Sequence, residues 1–174
     1  MKILKVHIKI KWLFLLSALF LCIPVFYAQP TLPQRTLTVL PTQPIDFGLF
    51  YSTGAAGTIN VDWQGVRTTT GGVIALSGST ARPAIFDVKL CQGRNVIISY
   101  PPSTTINNGV GVSLTLDIGP TEKGVSGSSF AVNNNCNFIT TVRVGGTLHV
   151  PGAASTAAYS GVYSGIFELN FVQE

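Results

Sequence analysis

Charged residues are scarce in this sequence. They make up only 10% of its 174 residues, and four of the eleven basic ones fall within the first eleven positions. From Gln29 onward seven basic residues are matched by seven acidic ones, so this part of the chain is formally neutral. Binding to a polyanion depends on basic side chains that displace counterions from phosphates. We therefore expect no nucleic-acid partner.

The patterns of common catalytic sites are also missing. After the first 28 residues a single histidine, His149, remains, and no GxSxG or CxxC motif occurs. Enzymes need a nucleophile beside a base, paired carboxylates or a metal cluster. Asp46-Phe47-Gly48 matches three letters of the kinase metal-binding motif, but no other kinase element accompanies it; we interpret Phe47 as a core residue and Gly48 as a turn. We predict a protein that is not an enzyme, with no catalytic residues, metal or cofactor.

Residues 1–28 have the pattern of a secretory signal. A lysine-rich start precedes an apolar run, and Ala28 supplies a small residue for cleavage. A lipid anchor on Cys22 is a rival interpretation that the bulky Leu21 opposes, and Pro24 opposes an uncleaved anchor. We expect cleavage after Ala28 and export to the periplasm, surface or exterior of a bacterial cell, with no membrane attachment afterwards.

Only three cysteines are present, and one of them, Cys22, leaves with the predicted leader. The remaining pair, Cys91 and Cys136, is expected to form a disulfide because exported chains meet oxidising conditions. The alternative is a reactive or metal-binding thiol pair. It lacks the CxxC spacing and a nearby histidine that such sites usually have.

The mature region is poor in the helix formers Lys and Glu, whereas Gly, Thr and Ser make up about a third of it. Short alternating runs between turn residues predict an all-β, antiparallel β-sandwich. Residues 29–44 form a proline-rich N-terminal segment, and residues 45–174 form one domain. We predict a strand over 84–90, a hairpin turn at Gln64-Gly65, a strand end at Gly71-Gly72, a loop over 101–112 and a last strand over 161–172.

Three stretches resemble one known family. They are Ile45-Asp46-Phe47-Gly48, residues 57–76, and residues 144–151 followed by 163–169. In order and spacing they are similar to the bacterial exported family catalogued as domain of unknown function 4402. The resemblance implies an immunoglobulin-like or pilin-like β-sandwich with a surface or fimbria-like role.

Two functions follow as hypotheses. The first is a non-enzymatic surface or fimbria-like structural subunit that pairs strands with itself or with other surface subunits. Its strand-pairing residues are Leu37, Val39, Phe167, Leu169 and Phe171, although residues 36–40 also suit the domain's own first strand.

The second hypothesis is a carbohydrate- or host-binding adhesin domain. In this alternative, glycans stack on exposed aromatic side chains, chiefly Trp63, Tyr51 and Tyr100, with Tyr159 and Tyr163 as further candidates. The competing interpretation of these residues is that they belong to the core, as aromatics of β-sandwiches commonly do.

Overall fold

The computed structural model describes residues 36–90, 95–133, 135, 137–152 and 159–174. They belong to one of the two units into which the chain divides, Arg35–Glu174. This part contains ten strands and no α-helix: β1 Leu37–Gln43, β2 Phe50–Val61, β3 Arg67–Ala75, β4 Ala84–Leu90, β5 Asn95–Ser99, β6 Ser103–Asn107, β7 Ser113–Thr121, β8 Ser129–Ala131, β9 Thr140–Val150 and β10 Asn170–Gln173. Within these residues no helix is long and apolar enough to cross a membrane.

Strand β9 is the centre of a large antiparallel sheet. Its first half pairs with β4, its second half pairs with β2 along the same edge, and β7 pairs along the opposite edge. β1 lies outside β4, β3 outside β2, and β6 outside β7. The change of partner from β4 to β2 falls at Gly145, where an added Cβ would lie 2.7 Å from the carbonyl oxygen of Val61. A glycine is needed here because the two backbones approach so closely.

A smaller sheet, in the order β10-β5-β8, covers one half of the large sheet. Between the two sheets lies the cluster that we call the sheet-covered core. Its buried members are Ala84, Val88, Leu90, Val96, Ile98, Ile118, Phe130, Val132, Val142 and Val144. This arrangement is an antiparallel β-sandwich, as predicted from the alternating runs.

The other half of the large sheet has a different cover. Its inward side chains form a second cluster, the segment-covered core: Phe47, Ile59, Val61, Val73, Ile106, Leu114, Leu116, Leu148 and Val150. Here residues 44–49 and 159–167, which are mostly not in strands, take the place of a second sheet. The sandwich is therefore uneven, with one half closed by strands and the other by irregular chain.

Several local predictions are confirmed. β4 covers residues 84–90, and its Phe86, Val88 and Leu90 all face the sheet-covered core. The Gln64-Gly65 turn joins β2 to β3, and Asp62 fixes it because its Oδ1 accepts the backbone N–H groups of Gln64 and Val66. Gly65 has a φ of 88°, which favours glycine.

Three local predictions are wrong. β3 continues through Gly71-Gly72, because β2 bulges between Ser52 and Gly57 and its backbone closes over these glycines. The predicted loop over 101–112 contains β6. This strand shows no alternation of apolar and polar residues in the sequence, because Ile106 is its one buried side chain. The predicted strand over 161–172 is a strand only from Asn170, because the residues before it cross from the edge of β6 to the smaller sheet.

The predicted leader, residues 1–28, and the predicted Cys91–Cys136 disulfide lie outside the described residues. Both stay predictions. Strand β1 lies in the segment that the sequence assigned to the proline-rich region, so the described sandwich begins at Leu37.

Candidate functional site

A groove of about 1040 Å³ runs beside the segment-covered core. Its floor is formed by inward side chains of β6, β7 and β9, and its walls are residues 44–52 and 159–167. The floor residues Leu114 and Leu148 are only 3% and 1% exposed. A partner would therefore bury surface mainly on the walls and rim.

Aromatic side chains are concentrated in the groove. Six of them line it: Phe47, Phe50, Tyr51, Tyr159, Tyr163 and Phe167. The Tyr163 hydroxyl donates a hydrogen bond of 3.0 Å to the Tyr159 carbonyl oxygen. Burial, and to a smaller extent the neighbouring Tyr159, raise the pKa of Tyr163, so its hydroxyl remains a donor at neutral pH. The contact fixes the position of one wall.

The rim of the groove is apolar and exposed. Leu49 is 65% exposed, Tyr51 47% and Val162 86%, and all three line the groove. Ile74 lies opposite Tyr51 in the β2–β3 ladder, and it and Leu76 are each 41% exposed. Tyr51 and Ile74 alternate with the inward Phe50 and Val73, so they share the outer face of the ladder. Exposed apolar residues that gather in one region mark interaction sites.

The first wall is held by backbone pairing around Asp46. Asp46 and Arg82 exchange two backbone hydrogen bonds of 2.8 Å, and Asp46 Oδ1 accepts the Gly48 N–H at 2.8 Å. Phe47, which lies between Asp46 and Gly48 in the chain, is buried in the segment-covered core. Gly48 turns the chain with a φ of 69°. The interpretation of Phe47 as core and Gly48 as a turn is confirmed.

Arg67 fastens the same wall to the β3 side. Its guanidinium donates to the carbonyl oxygens of Phe47 (3.3 Å), Leu49 (3.4 Å) and Leu76 (2.9 Å) and to Ser79 Oγ (2.8 Å). An Arg can serve these acceptors together because its N–H donors are fixed in one plane. Arg67 is therefore a structural residue, and it lies in the stretch 57–76 that resembles the family.

The second wall is fixed along β6. Asn107 and Ser164 exchange two backbone hydrogen bonds of 3.0 and 2.9 Å. Gly165 then passes so close that an added Cβ would lie 2.6 Å from Ile106 Cγ2. Glycine is thus required at position 165, within the family-like stretch 163–169, because the wall lies directly against β6.

The three aromatic residues first chosen for glycan stacking are not brought together. Tyr51 lies near the start of β2, while Trp63 lies in the turn after its other end. Tyr100 follows β5, and its hydroxyl lies over Gly119. Burial raises the pKa of Tyr100, outweighing a hydrogen bond from Ser126 that lowers it. Only Tyr51 of the three lines the groove.

The candidate strand-pairing residues all pack against the sheet-covered core: Leu37, Val39, Phe167, Leu169 and Phe171. Phe86 links them, with ring centroids 6.3 Å from Phe167 and 6.1 Å from Phe171. β1 pairs with β4 of the same chain, and β1 and β10 are terminal strands in their sheets. In this structure Leu37 and Val39 thus belong to the domain's own first strand.

On the outer face of the large sheet, side chains of β9 and β7 make a close polar contact. His149 Nε2 lies 2.6 Å from Asp117 Oδ2, and both side chains are about half exposed. Among the described residues no group of three or more His, Cys, Asp or Glu side chains is placed to hold a metal ion. Among the described residues that line the groove, Asp46 is the one that carries a charge.

Sequence reasoning included Tyr51, Tyr159 and Tyr163 among its aromatic candidates but missed the rim residues Leu49 and Val162. The residues next to Leu49 and Val162 in the sequence do not indicate a binding role, because single apolar residues beside turns are common in any exposed loop. Only the pairing of distant segments makes them neighbours.

The fold and groove define an antiparallel β-sandwich with an exposed apolar interaction surface. Within its class, the chain belongs to the family described as Domain of unknown function (DUF4402), whose model matches residues 37–171. The match includes β1, both walls of the groove and its floor. No curated protein and no solved structure matches the chain.

Proposed function

We propose that the protein is a non-enzymatic structural subunit, exported to the bacterial cell surface, where it builds a fimbria-like assembly through the groove. The observation that carries this proposal is the apolar rim of Leu49, Tyr51 and Val162 around an aromatic groove. Burying such a rim against a partner is favourable because it removes apolar surface from water.

The polar groups of the walls argue against a small-molecule site. Specific pockets combine apolar walls with a few convergent polar groups that orient the ligand, in volumes of about 300–1,000 Å³. Here the backbone groups of Asp46 pair with Arg82, those of Ser164 pair with Asn107, and Arg67 is occupied by carbonyl oxygens of its own chain. The most exposed side chains of the rim, Leu49 and Val162, are apolar, which suits a macromolecular partner.

The glycan-binding alternative has weaker support. Trp63, Tyr51 and Tyr100 lie apart, so they offer no common stacking platform. Tyr51 remains a candidate for sugar stacking because it is 47% exposed in β2. An array of glycans probed with the exported protein and with its Tyr51→Ala variant tests this alternative directly.

Self-association of the exported protein is the test of the main proposal. We expect concentration-dependent oligomers in sedimentation velocity and fibres in electron micrographs. Val162→Ser, at the 86% exposed rim position, should abolish them, because it places a hydroxyl where apolar surface is buried. Val125→Ser is the matched control, since Val125 is 65% exposed and absent from the groove lining.

Two results would contradict the proposal. One is a wild-type protein that stays monomeric at every concentration, and the other is assembly that Val162→Ser and Val125→Ser affect equally. Glycan binding that is lost in Tyr51→Ala, with no assembly, would favour the adhesin.

A further inference from the structure

We propose that the free edge of strand β3 pairs antiparallel with the β3 edge of a second copy of this chain, across a two-fold axis at Ile74. This inference rests on the proposed function, and it identifies a second contact beside the rim of the groove. In the large sheet, β3 pairs with β2 on one side and is the terminal strand on the other. A terminal strand presents backbone N–H and C=O groups with which another chain can form a ladder.

The other terminal strands of the described residues carry features that discourage such pairing. β1 contains Pro41 and a register shift beside it, β8 and β10 have only three and four residues, and the outer edge of β6 is occupied where Asn107 pairs with Ser164. Proline, short length and covered edges are means by which proteins protect exposed strands. β3 has nine residues and no proline, and its one charged side chain, Arg67, is bonded to carbonyl oxygens of its own chain. It is therefore the strand most open to pairing.

The hydrogen bonds at the end of β3 show which backbone groups face the free edge. The Leu76 N–H donates to the Leu49 carbonyl oxygen at 2.9 Å, so the backbone groups of Leu76 point toward β2. These directions alternate along an antiparallel strand. The backbone groups of Ile74 therefore also point toward β2, whereas those of Val73 and Ala75 point away from it, toward the free edge.

A two-fold axis at Ile74 uses these outward groups. It places Val73 of each copy opposite Ala75 of the other, and residues that face each other in this way exchange two backbone hydrogen bonds. Ile74 then lies opposite itself as a pair without hydrogen bonds, in which the side chains approach most closely. Because Ile74 and Tyr51 are neighbours on the outer face of the β2–β3 ladder, the axis joins two exposed Ile74–Tyr51 pairs into one apolar row.

Two identical edges can approach here because residues 68–76 contain no charged side chain. Like charges placed directly opposite each other would repel. Pairing over the short segment 72–76 buries less surface than the roughly 1,200–2,000 Å² of a stable interface. A two-fold contact also joins copies only in pairs. We therefore expect β3 pairing to reinforce copies already joined through the groove, and not to replace the groove contact.

Disulfide trapping tests the position of the axis. Ile74→Cys places the thiols of two copies opposite each other at a Cα separation of about 4.5 Å, which a disulfide can span. Under mild oxidation of the purified protein, we expect at least ten times more cross-linked dimer for Ile74→Cys than for Leu40→Cys. Leu40 is the matched control, because it is an exposed apolar residue of β1, another terminal strand of the same sheet. The wild type gives the background from Cys91 and Cys136.

Hydrogen exchange tests the formation of a ladder. On assembly the amides of Val73 and Ala75 should exchange at least tenfold more slowly, because their N–H groups gain partners. The amide of Ile74 already points toward β2 and should change little. Packing of side chains without a ladder would not produce this alternation. Ile74→Lys, which places one charge from each copy at the axis, should weaken assembly at least tenfold, whereas Leu40→Lys should not.

The outcomes separate this inference from the proposed function. If fibres form but Ile74→Cys cross-links no more than Leu40→Cys, β3 pairing is wrong and the subunit function stands. If Ile74→Cys cross-links specifically but no fibres form, the β3 pair stands and assembly through the groove fails, since oxidation traps even a short-lived contact. If neither is observed, both are wrong.

Discussion

The two halves of the large sheet bury similar side chains under different covers. Ile98 in the sheet-covered core is 0% exposed and Leu148 in the segment-covered core is 1% exposed. Over the first half, the ladders β10–β5 and β5–β8 hold the cover together. Over the second half, the cover is held by individual contacts such as the Arg67 guanidinium. Equal burial therefore does not mean equal rigidity, because a cover that rests on a few contacts opens more easily than a paired sheet.

This difference suggests that one half of the sheet mainly provides stability and the other half mainly provides a binding surface. Segments that open at low cost are where proteins place their interaction surfaces. The segment-covered half carries the groove and the exposed rim, whereas the sheet-covered half supplies the continuous core that a β-sandwich needs. Substitutions in the sheet-covered core should therefore mainly lower stability, whereas substitutions at the rim should mainly weaken assembly.

The largest effect is expected in the sheet-covered core. Ile98→Ala removes a fully buried side chain from the central strand of the smaller sheet, and large-to-small changes of this kind cost about 2–5 kcal/mol. Urea unfolding of the purified protein measures the loss. Val172→Ala is the control, because Val172 in the neighbouring strand is 56% exposed and its loss should stay within about 0.5 kcal/mol. Equal losses in the two variants would contradict the packing described for this half.

A smaller effect is expected where Arg67 holds the wall of the groove. Gly48 has a φ of 69°, and a Cβ there would lie 2.6 Å from Arg67 Nη1. Gly48→Ala therefore combines the cost of a left-handed backbone, about 1–2 kcal/mol, with the net loss of one guanidinium hydrogen bond, about 1 kcal/mol. We expect a total of about 2–3 kcal/mol in the free energy of unfolding.

Gly78→Ala is the matched control for that variant. Gly78 also has a positive φ, 85°, but nothing lies within 4 Å of its added Cβ. It should lose only the backbone part, about 1–2 kcal/mol. If both variants lose the same amount, the Arg67 contact does not hold the wall. Hydrogen exchange gives a second measure: in Gly48→Ala, amides of residues 46–49 should exchange faster than those of β5.

Local sequence patterns were sufficient for the regular part of the molecule. β4 was predictable because Asp87 and Lys89 alternate with apolar residues, and a period of two places these on opposite faces of a strand. Phe47 and Gly48 were interpretable because an aromatic side chain beside a turn glycine has few other uses. Both inferences need only neighbouring residues.

The groove was not predictable in this way. Its walls, residues 44–52 and 159–167, are separated by more than 100 positions. They meet because β9 pairs with β2 on one edge and with β7 on the other, and β6, the partner of β7, holds the second wall. The sequence shows that tyrosines are present, but which of them share a surface depends on this long-range pairing. Trp63 and Tyr51 illustrate the limit, because Tyr51 is the second residue of β2 and Trp63 follows its last residue, so they lie at opposite ends of the strand.

The smallest change in stability should accompany the largest change in assembly. Leu49→Ser replaces a 65% exposed rim residue, so the free energy of unfolding should shift by less than about 0.5 kcal/mol. Assembly should nevertheless weaken at least tenfold, because the rim loses apolar surface that a partner buries. Leu40→Ser, at a 59% exposed position of β1 in the sheet-covered half, is matched in residue type and exposure and should change neither quantity. Sedimentation velocity and urea unfolding of the three proteins measure both effects, and equal assembly of the two variants would remove the functional distinction between the halves.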